Sequence, residues 1–444
     1  MRKSNLLGGA LLLAALFVNT SCKEIFGNMD LSGDTTVSSY VAINTATKTA
    51  APAEEFTLSI TKIGDGTVTW SSSDPAIAEV QGAGLSAKVI AKKSGNATIT
   101  ANVAAAGNYQ AGSAKCAVAV RISTIDQLTA EVGGEGDAVT AYLADNAKIE
   151  MTSDYKIKRD VKIIGSEKGL ATLTMGAKGF EVKNSNFALE NVIIVAGALE
   201  NAVVRYAAPT LADGEIAKQV TFDFINSEVK DMKYQFIYGN KKSYLLKELN
   251  VKKSIIGIKG LSKKAIFDFS NQEDSKGANV LALNVEESTI YADATTVWQN
   301  GGFFTSQSSK KVSNQYGLEN PKQVFTIKNS TLYNIANGKT TSTLIENSND
   351  CQSYVVENNI IVNCGKNGQF LAGLNAGQAG KTKNWTVSNN VINWNNVDVS
   401  GTELSKINTT TITPISGEVS FADAAKGDFT QTLTKDAGDP RWKK

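Results

Sequence analysis

The sequence contains no histidine. That removes His-based catalytic triads, histidine acid–base pairs and histidine metal ligands at once. Arginine is confined to Arg2, Arg121, Arg159, Arg205 and Arg441. Basic and acidic residues nearly cancel, 45 against 43, so no net field points to nucleic acid or a generally anionic partner. No Cys-x-x-Cys occurs among the four cysteines, and no Asp-rich calcium loop is present. No metal site and no cofactor is expected.

The chain has 444 residues, 42% of them hydrophobic and 20% charged, enough for two or three domains around ordinary cores. One short pattern organises most of it: Phe325-Thr-Ile327-Lys-Asn329-Ser330-Thr-Leu332. It recurs at Phe222 to Val229, Leu249 to Ile256, Leu283 to Ile290, Tyr354 to Ile361 and Trp385 to Ile392, with a weaker copy at Phe187 to Ile194. Measured at the Ser/Asn position, copies lie roughly 27 to 42 residues apart. Repeats of this length signal a solenoid, a propeller or an array. Apolar and polar residues alternate within each copy, which is strand periodicity, and no long helical pattern separates the copies. A parallel β-helix fits, one copy per rung; an irregular array of β-sandwiches is the alternative. The column Ser227, Ser254, Ser288, Ser330, Asn359 and Asn390 should form an inward polar ladder at a turn.

At the N-terminus, Arg2-Lys3 precede an apolar run from Leu6 to Val18 and then Asn19-Thr-Ser-Cys22. A basic start and a short apolar run read as a secretory signal. The residues before Cys22 resemble a bacterial lipobox, and Lys23-Glu24 resembles the export signal of Bacteroidetes surface lipoproteins. This resemblance implies a signal peptide over 1–21, lipidation at Cys22, a tether over 22–40 and a protein anchored in the outer membrane, facing the cell exterior. Cys116, Cys351 and Cys364 remain; Cys351 and Cys364 flank one strand, and pairing and free thiols are both open to them.

Residues 41–121 carry short alternating segments with turn signals, the pattern of a β-sandwich. The stretch Trp70-Ser-Ser-Ser-Asp74-Pro75-Ala-Ile77-Ala-Glu-Val80, with Gly95-Asn-Ala97-Thr-Ile99-Thr after it, resembles bacterial Ig-like domains of group 2, which mostly act as spacers. Trp70 then belongs to a core. Ser123-Thr-Ile125-Asp-Gln127-Leu128 reads as a capped helix. That helix, followed by Gly136-Asp137-Ala-Val139 and strands ending in Ile163-Ile164-Gly165, resembles the opening of pectate-lyase-like right-handed β-helices. Gly427-Asp428-Phe429 and Gly438-Asp439-Pro440-Arg441-Trp442 resemble the closing segment of Bacteroidetes lipoproteins of that superfamily. The implied architecture is all-β: an Ig-like β-sandwich, then a right-handed parallel β-helix over 122–415, then a closing segment over 416–444.

Enzymes of that superfamily use acidic clusters on neighbouring rungs. The fourth position of the repeat carries Glu190, Ile225, Lys252, Glu286, Lys328, Glu357 and Ser388, a mixture of signs that suggests a solvated face. Asp223 and Asp268 interrupt apolar runs without an obvious partner. Calcium would enter only with a lyase activity. Arg205-Tyr206 is a candidate for holding a uronate carboxylate, since arginine binds carboxylates through two parallel bonds. The residues after the last aliphatic of each copy should face outward: Lys230, Gly257, Tyr291, Tyr333, Val362 and Asn393. Stacked Tyr291 and Tyr333 would make a platform for sugar rings, with Trp298 on a Gly-containing aromatic loop and Asn393 and Trp394 further along. The alternatives are tyrosines that serve strand packing alone and a Trp394 that caps the last rung.

The expected role is that of a cell-surface lipoprotein binding a polysaccharide, pectic or host-derived, beside a glycan-uptake complex. A polysaccharide lyase or glycoside hydrolase with an atypical site is the second expectation, and a protein-binding adhesin the third.

Overall fold

The computed structural model describes residues 36–443 apart from 153–154, 208–217, 241–244, 263, 272–278, 299–301, 307–322, 338–344, 348–350, 366–383, 395–396, 399–405, 408–409, 412–418 and 432–435. The expected signal peptide and Cys22 lie outside these residues.

Two four-stranded sheets make the N-terminal unit. Val41–Ile43, Glu55–Lys62, Ser86–Ala91 and Ala78–Gln81 form one, in that spatial order; Thr47–Ala50, Gly112–Val120, Gly95–Val103 and Val68–Ser72 form the other. Alternation decides which face is buried. Leu58, Val89 and Ala91 of one sheet meet Ile99, Cys116 and Val118 of the other in a single apolar cluster. Trp70 packs half-buried on this core, and its indole N–H donates to the Gly84 carbonyl at 3.0 Å.

A helix, α1 (Ile125–Val132), follows. Thr124 caps it by accepting the Gln127 N–H, and the Gln127 side chain reaches back to the Ser123 N–H at 2.9 Å. Leu128 and Val132 face the core of the solenoid and are fully buried there.

From Val139 to Asn347 the chain coils through three parallel sheets, laying one strand in each before returning to the first, and the first two sheets continue beyond it among the described residues. The first sheet begins with Val139–Tyr142 and has nine strands, the last Asn384–Ser388. The second runs from Lys148–Met151 to Val391–Trp394, with Val397–Asp398 added antiparallel, and the third from Tyr155–Ile157 to Ile345–Asn347. This is the architecture of a parallel β-helix, and its parallel pairing excludes a chain of separate sandwiches. The sequence repeat is the first strand, the turn and the second strand of each coil. Its first position stacks as Phe187, Phe222, Leu249, Leu283, Phe325, Tyr354 and Trp385 in unbroken register. Aromatic rings run through the core, among them Phe180, Phe187, Phe222 and Phe236 in edge-on or tilted pairs 5.0–5.9 Å apart.

The turn between the first and second sheets explains the two polar positions of the repeat. Its first residue takes a left-handed conformation at Asn191, Asn226, Lys253, Glu287, Asn329, Asn358 and Asn389, with φ between +47° and +59°. Asparagine tolerates this backbone better than most residues, which accounts for its frequency there. The next residue is the buried Ser/Asn column. Each hydroxyl donates to its own turn, as Ser254 Oγ does to the Lys252 carbonyl at 2.7 Å. Each also accepts the backbone N–H of the equivalent residue one rung back: Ser227 N–H to Ser254, Ser254 to Ser288, Ser288 to Ser330, all at 3.1–3.2 Å. Asn359 and Asn390 continue the ladder through their side-chain oxygens. Every buried turn amide in the run is thereby satisfied by the rung above it.

Candidate functional site

The expected aromatic platform is covered. Tyr291 and Tyr333 stand in register on adjacent rungs of the second sheet and point outward. The C-terminal segment returns over them. Phe429 is fully buried, with its ring 5.2 Å from Tyr291 and 5.5 Å from Tyr333, and Phe421 and Trp442 close around it. Burial, aided by nearby Glu228, Asp231 and Asp293, pushes the Tyr291 phenol up from its ordinary pKa.

The Gly-Asp-Pro-Arg-Trp motif is the clamp that holds this cover. Asp439 is buried, accepts the Thr289 hydroxyl at 2.8 Å and caps the short 3-10 turn Pro440–Trp442. The Asp439 N–H donates to Thr331 Oγ1, and the Trp442 indole N–H to Thr289 Oγ1 at 2.7 Å. Gly438 has φ +82°, and a Cβ there would lie 2.6 Å from Ile360 Cδ1. The left-handed backbone favours glycine, and any larger residue would also have to displace the Ile360 side chain.

The other candidates are dispersed. Trp298 is a core residue rather than part of an exposed loop: it is 2% exposed and its indole N–H donates to the Asn334 carbonyl at 2.7 Å. Phe303 and Phe304 of the same stretch are fully buried, because a run this apolar is drawn into the solenoid core. Asn393 is buried in register with Val362. Trp394 ends the same strand, and its side chain lies outside the described residues. Arg205 faces outward on the third sheet, away from the others, and pairs with Glu181 at 3.3 Å, in register with it. Tyr206 points the opposite way and is buried, so the expected Arg205-Tyr206 pair is split by strand alternation. The two interrupting aspartates do have partners: Asp223 accepts from Asn250 at 2.7 Å, and Asp268 from Gln235 at 3.1 Å.

What the outer surface does offer is a polar trough on the first sheet. Thr140, Lys162, Ala188, Asp223, Asn250, Asn284 and Thr326 form one outward column, one residue per rung. The rung spacing is about 4.8 Å. Side-chain amides link the middle of the column, Asn284 to Asn250 at 2.8 Å and Asn250 to Asp223 at 2.7 Å. Along one side runs a second ladder. Asp160 accepts the Asn186 N–H and side-chain amide at 2.9 and 2.8 Å, and Asn186 accepts the Thr221 N–H at 2.8 Å. Along the other run ion pairs, Lys252 with Glu286 at 3.5 Å and Lys328 with Glu357 at 2.9 Å. The mixed-sign column of the sequence is thus a self-neutralised rail. Ala188, the small residue of the central column, floors a depression of about 200 Å³ between Asp160, Lys162, Asn186 and Asp223.

Burial pushes the Asp160 carboxyl up, but hydrogen bonds from Lys218 and Asn186 outweigh it and hold the group below the usual carboxylate range. The Lys328 ammonium similarly lowers Glu357. The trough residues occupy the second, unconstrained position of the sequence repeat. Its enrichment in Asp, Asn and Thr was the available signal.

Cys364 is a free, buried thiol pushed up to about 12 by burial, and the side chain of Cys351 lies outside the described residues. Among the described residues no helix is long and apolar enough to cross a membrane, and no group of carboxylates or thiols is arranged to hold a metal ion. No protein-family model, no curated protein and no solved structure matches the chain.

Proposed function

We propose that the protein binds a polysaccharide along the outer face of the first sheet. The observation that carries this reading is the registered column Asp223, Asn250 and Asn284, flanked by Asp160, Asn186 and Thr221. Carboxylate and amide groups are the partners that sugar hydroxyls need, and a rung repeat near 4.8 Å is comparable to the rise of one pyranose ring. The side chains hold one another in place, so little rotamer entropy is lost when a chain docks.

The sequence resemblances extend the reading. The protein is a lipoprotein anchored through Cys22 in the outer membrane and facing outward. The N-terminal sandwich is an Ig-like spacer, the β-helix is right-handed and pectate-lyase-like, and a glycan-uptake complex is the natural neighbour. The aromatic platform has no part in this site.

A second reading, hydrolysis or elimination, draws on the presence of Asp160 and Asp223 in one depression. A glycosidase needs one carboxyl with a raised pKa to protonate the leaving group. Asp160 is lowered instead, and Asp223 already accepts an amide, so binding is favoured. Affinity electrophoresis of the mature chain in a panel of plant and host polysaccharides tests the reading. A parallel assay follows reducing ends and unsaturated-uronate absorbance with and without calcium. Retardation without product supports binding, and loss of retardation in Asn250→Ala assigns the face. Product formation replaces binding with catalysis, and no retardation in any gel leaves recognition of a protein.

A further inference from the structure

A concavity lies where the sandwich meets the solenoid. It encloses about 720 Å³, within the range of roughly 300–1,000 Å³ typical of ligand sites, which favour domain interfaces. Its charged lining is Lys92, Lys93 and Arg159 against Asp126, Glu131 and Asp137. The walls come from both domains: the lysines belong to the sandwich, Asp126 and Glu131 to α1, and Asp137 and Arg159 to the first coil of the solenoid.

Those walls are fixed relative to one another. Ser94 of the sandwich is buried and accepts the Tyr142 N–H of the first sheet at 2.9 Å, while the Ser94 N–H donates to Glu131 at 3.3 Å. Arg121 donates to the Gly95 carbonyl and Asn96 at 2.8 Å and lies 5.4 Å from the Tyr142 ring centroid. Ile122 and Leu143 form a backbone bridge. The cleft is therefore preformed. It also continues into the first-sheet trough, because Ala138 and Val139 line both.

We infer that this junction cleft and the first-sheet trough form one continuous site for an uncharged saccharide chain, with the sandwich supplying one wall of the binding site. The inference rests on the glycan-binding reading above and adds the class of glycan and the second subsite. Three cations face three carboxylates in the cleft, and Glu79 already pairs with Lys92. The ion pairs along the trough cancel in the same way, as Lys162 does with Glu190 at 2.6 Å. Among the described lining residues of cleft and trough the cations do not outnumber the carboxylates, so these residues set up no net positive potential to concentrate a polyanion. Donors and acceptors remain in number. Lys93, Asp126 and Asp137 form no ion pair among the described residues. The Arg159 Nε is buried without a hydrogen-bond partner there, while its NH2 group is anchored on the Glu131 carbonyl at 2.7 Å. Charged groups that donate to and accept from neutral hydroxyls give strong, directional bonds with little salt dependence.

The test titrates the mature chain calorimetrically with cellohexaose, xylohexaose, mannohexaose and hexagalacturonate at low and high salt. One neutral hexasaccharide is expected to bind, with an affinity that changes by less than about twofold between the two salt conditions. Lys93→Ala and Asp137→Asn should each weaken it by about tenfold or more, the effect of losing one charge-assisted bond. Both side chains are exposed, so an unchanged melting temperature shows that folding is intact. Binding of the galacturonate alone, falling steeply with salt, overturns the uncharged class and leaves the trough reading standing. Neutral binding that is lost in Asn250→Ala and unchanged in both cleft variants overturns the junction subsite alone. No binding of any hexasaccharide or polymer overturns both.

Discussion

Replacing Ser288 with alanine isolates the energetic unit of the solenoid. Ser288 is fully buried, and its hydroxyl accepts the Ser254 N–H at 3.1 Å and donates to the Glu286 carbonyl at 2.7 Å. The Glu286 carbonyl keeps another donor, the Lys253 N–H at 3.0 Å, so its loss is small. The Ser254 N–H has no such alternative and becomes a buried, unsatisfied donor. That deficit costs about 1–3 kcal/mol. Ser288→Asn is the control, because Asn359 performs the same task two rungs on, its side-chain oxygen accepting the Ser330 N–H at 2.9 Å. Denaturant unfolding should show the loss in Ser288→Ala and most of it recovered in Ser288→Asn. Native-state hydrogen exchange should show faster opening centred on the Ser254 amide. An alanine variant as stable as the parent, or an asparagine variant no better than alanine, refutes the idea that the ladder satisfies backbone amides from rung to rung.

Lys253 and Glu287 occupy left-handed turn positions at φ +50° and +49° that asparagine fills on most other rungs. Lys253→Asn and Glu287→Asn should each stabilise by about 0.5–1 kcal/mol, part of the left-handed penalty for ordinary residues, seen as a higher thermal midpoint. Phe429→Ala removes the ring that joins Tyr291, Tyr333, Phe421 and Trp442. The closing segment should lose about 3–5 kcal/mol of local stability and become protease-sensitive while the solenoid stays folded. At the junction, burial pushes the Glu131 carboxyl above its ordinary range, against the Ser94 hydrogen bonds and the charges of Lys93 and Arg159. The folded state therefore holds this proton more tightly than the unfolded one. Its contribution favours folding in mild acid and is lost as pH rises from the ordinary carboxylate pKa through the folded value. Glu131→Gln should flatten that part of the stability–pH profile, and an unchanged profile counts against the assignment.

The repeat made the solenoid legible because each coil uses the same physics: alternating apolar residues for the core and a Ser or Asn where a turn amide needs an acceptor. The register of Phe222, Leu249, Leu283 and Phe325 follows directly from aligning copies. The outward direction of Tyr291 and Tyr333 was also readable from alternation. Their covering was not, since the Thr289–Asp439 bond that seats the cover spans 150 residues of sequence and leaves no periodic trace. Trp298 was misplaced because glycines after it suggested a loop, while the apolar neighbours Phe303 and Phe304 belonged to the core. The trough went unnoticed because its residues fill the position at which the repeat is least constrained. Asp160 and Asn186 meet across 26 residues, and only coil geometry brings them together.

The central claim, that the outer face of the first sheet holds a glycan, is tested most directly by hydrogen-exchange mass spectrometry of the mature chain with a polysaccharide that retards it. Protection is expected in Gln219–Ile225, Leu245–Lys252 and Asn279–Glu286 of the first sheet. Protection confined to Thr289–Ala292 and Thr331–Tyr333 of the second sheet, or to Val204–Ala207 of the third, contradicts it.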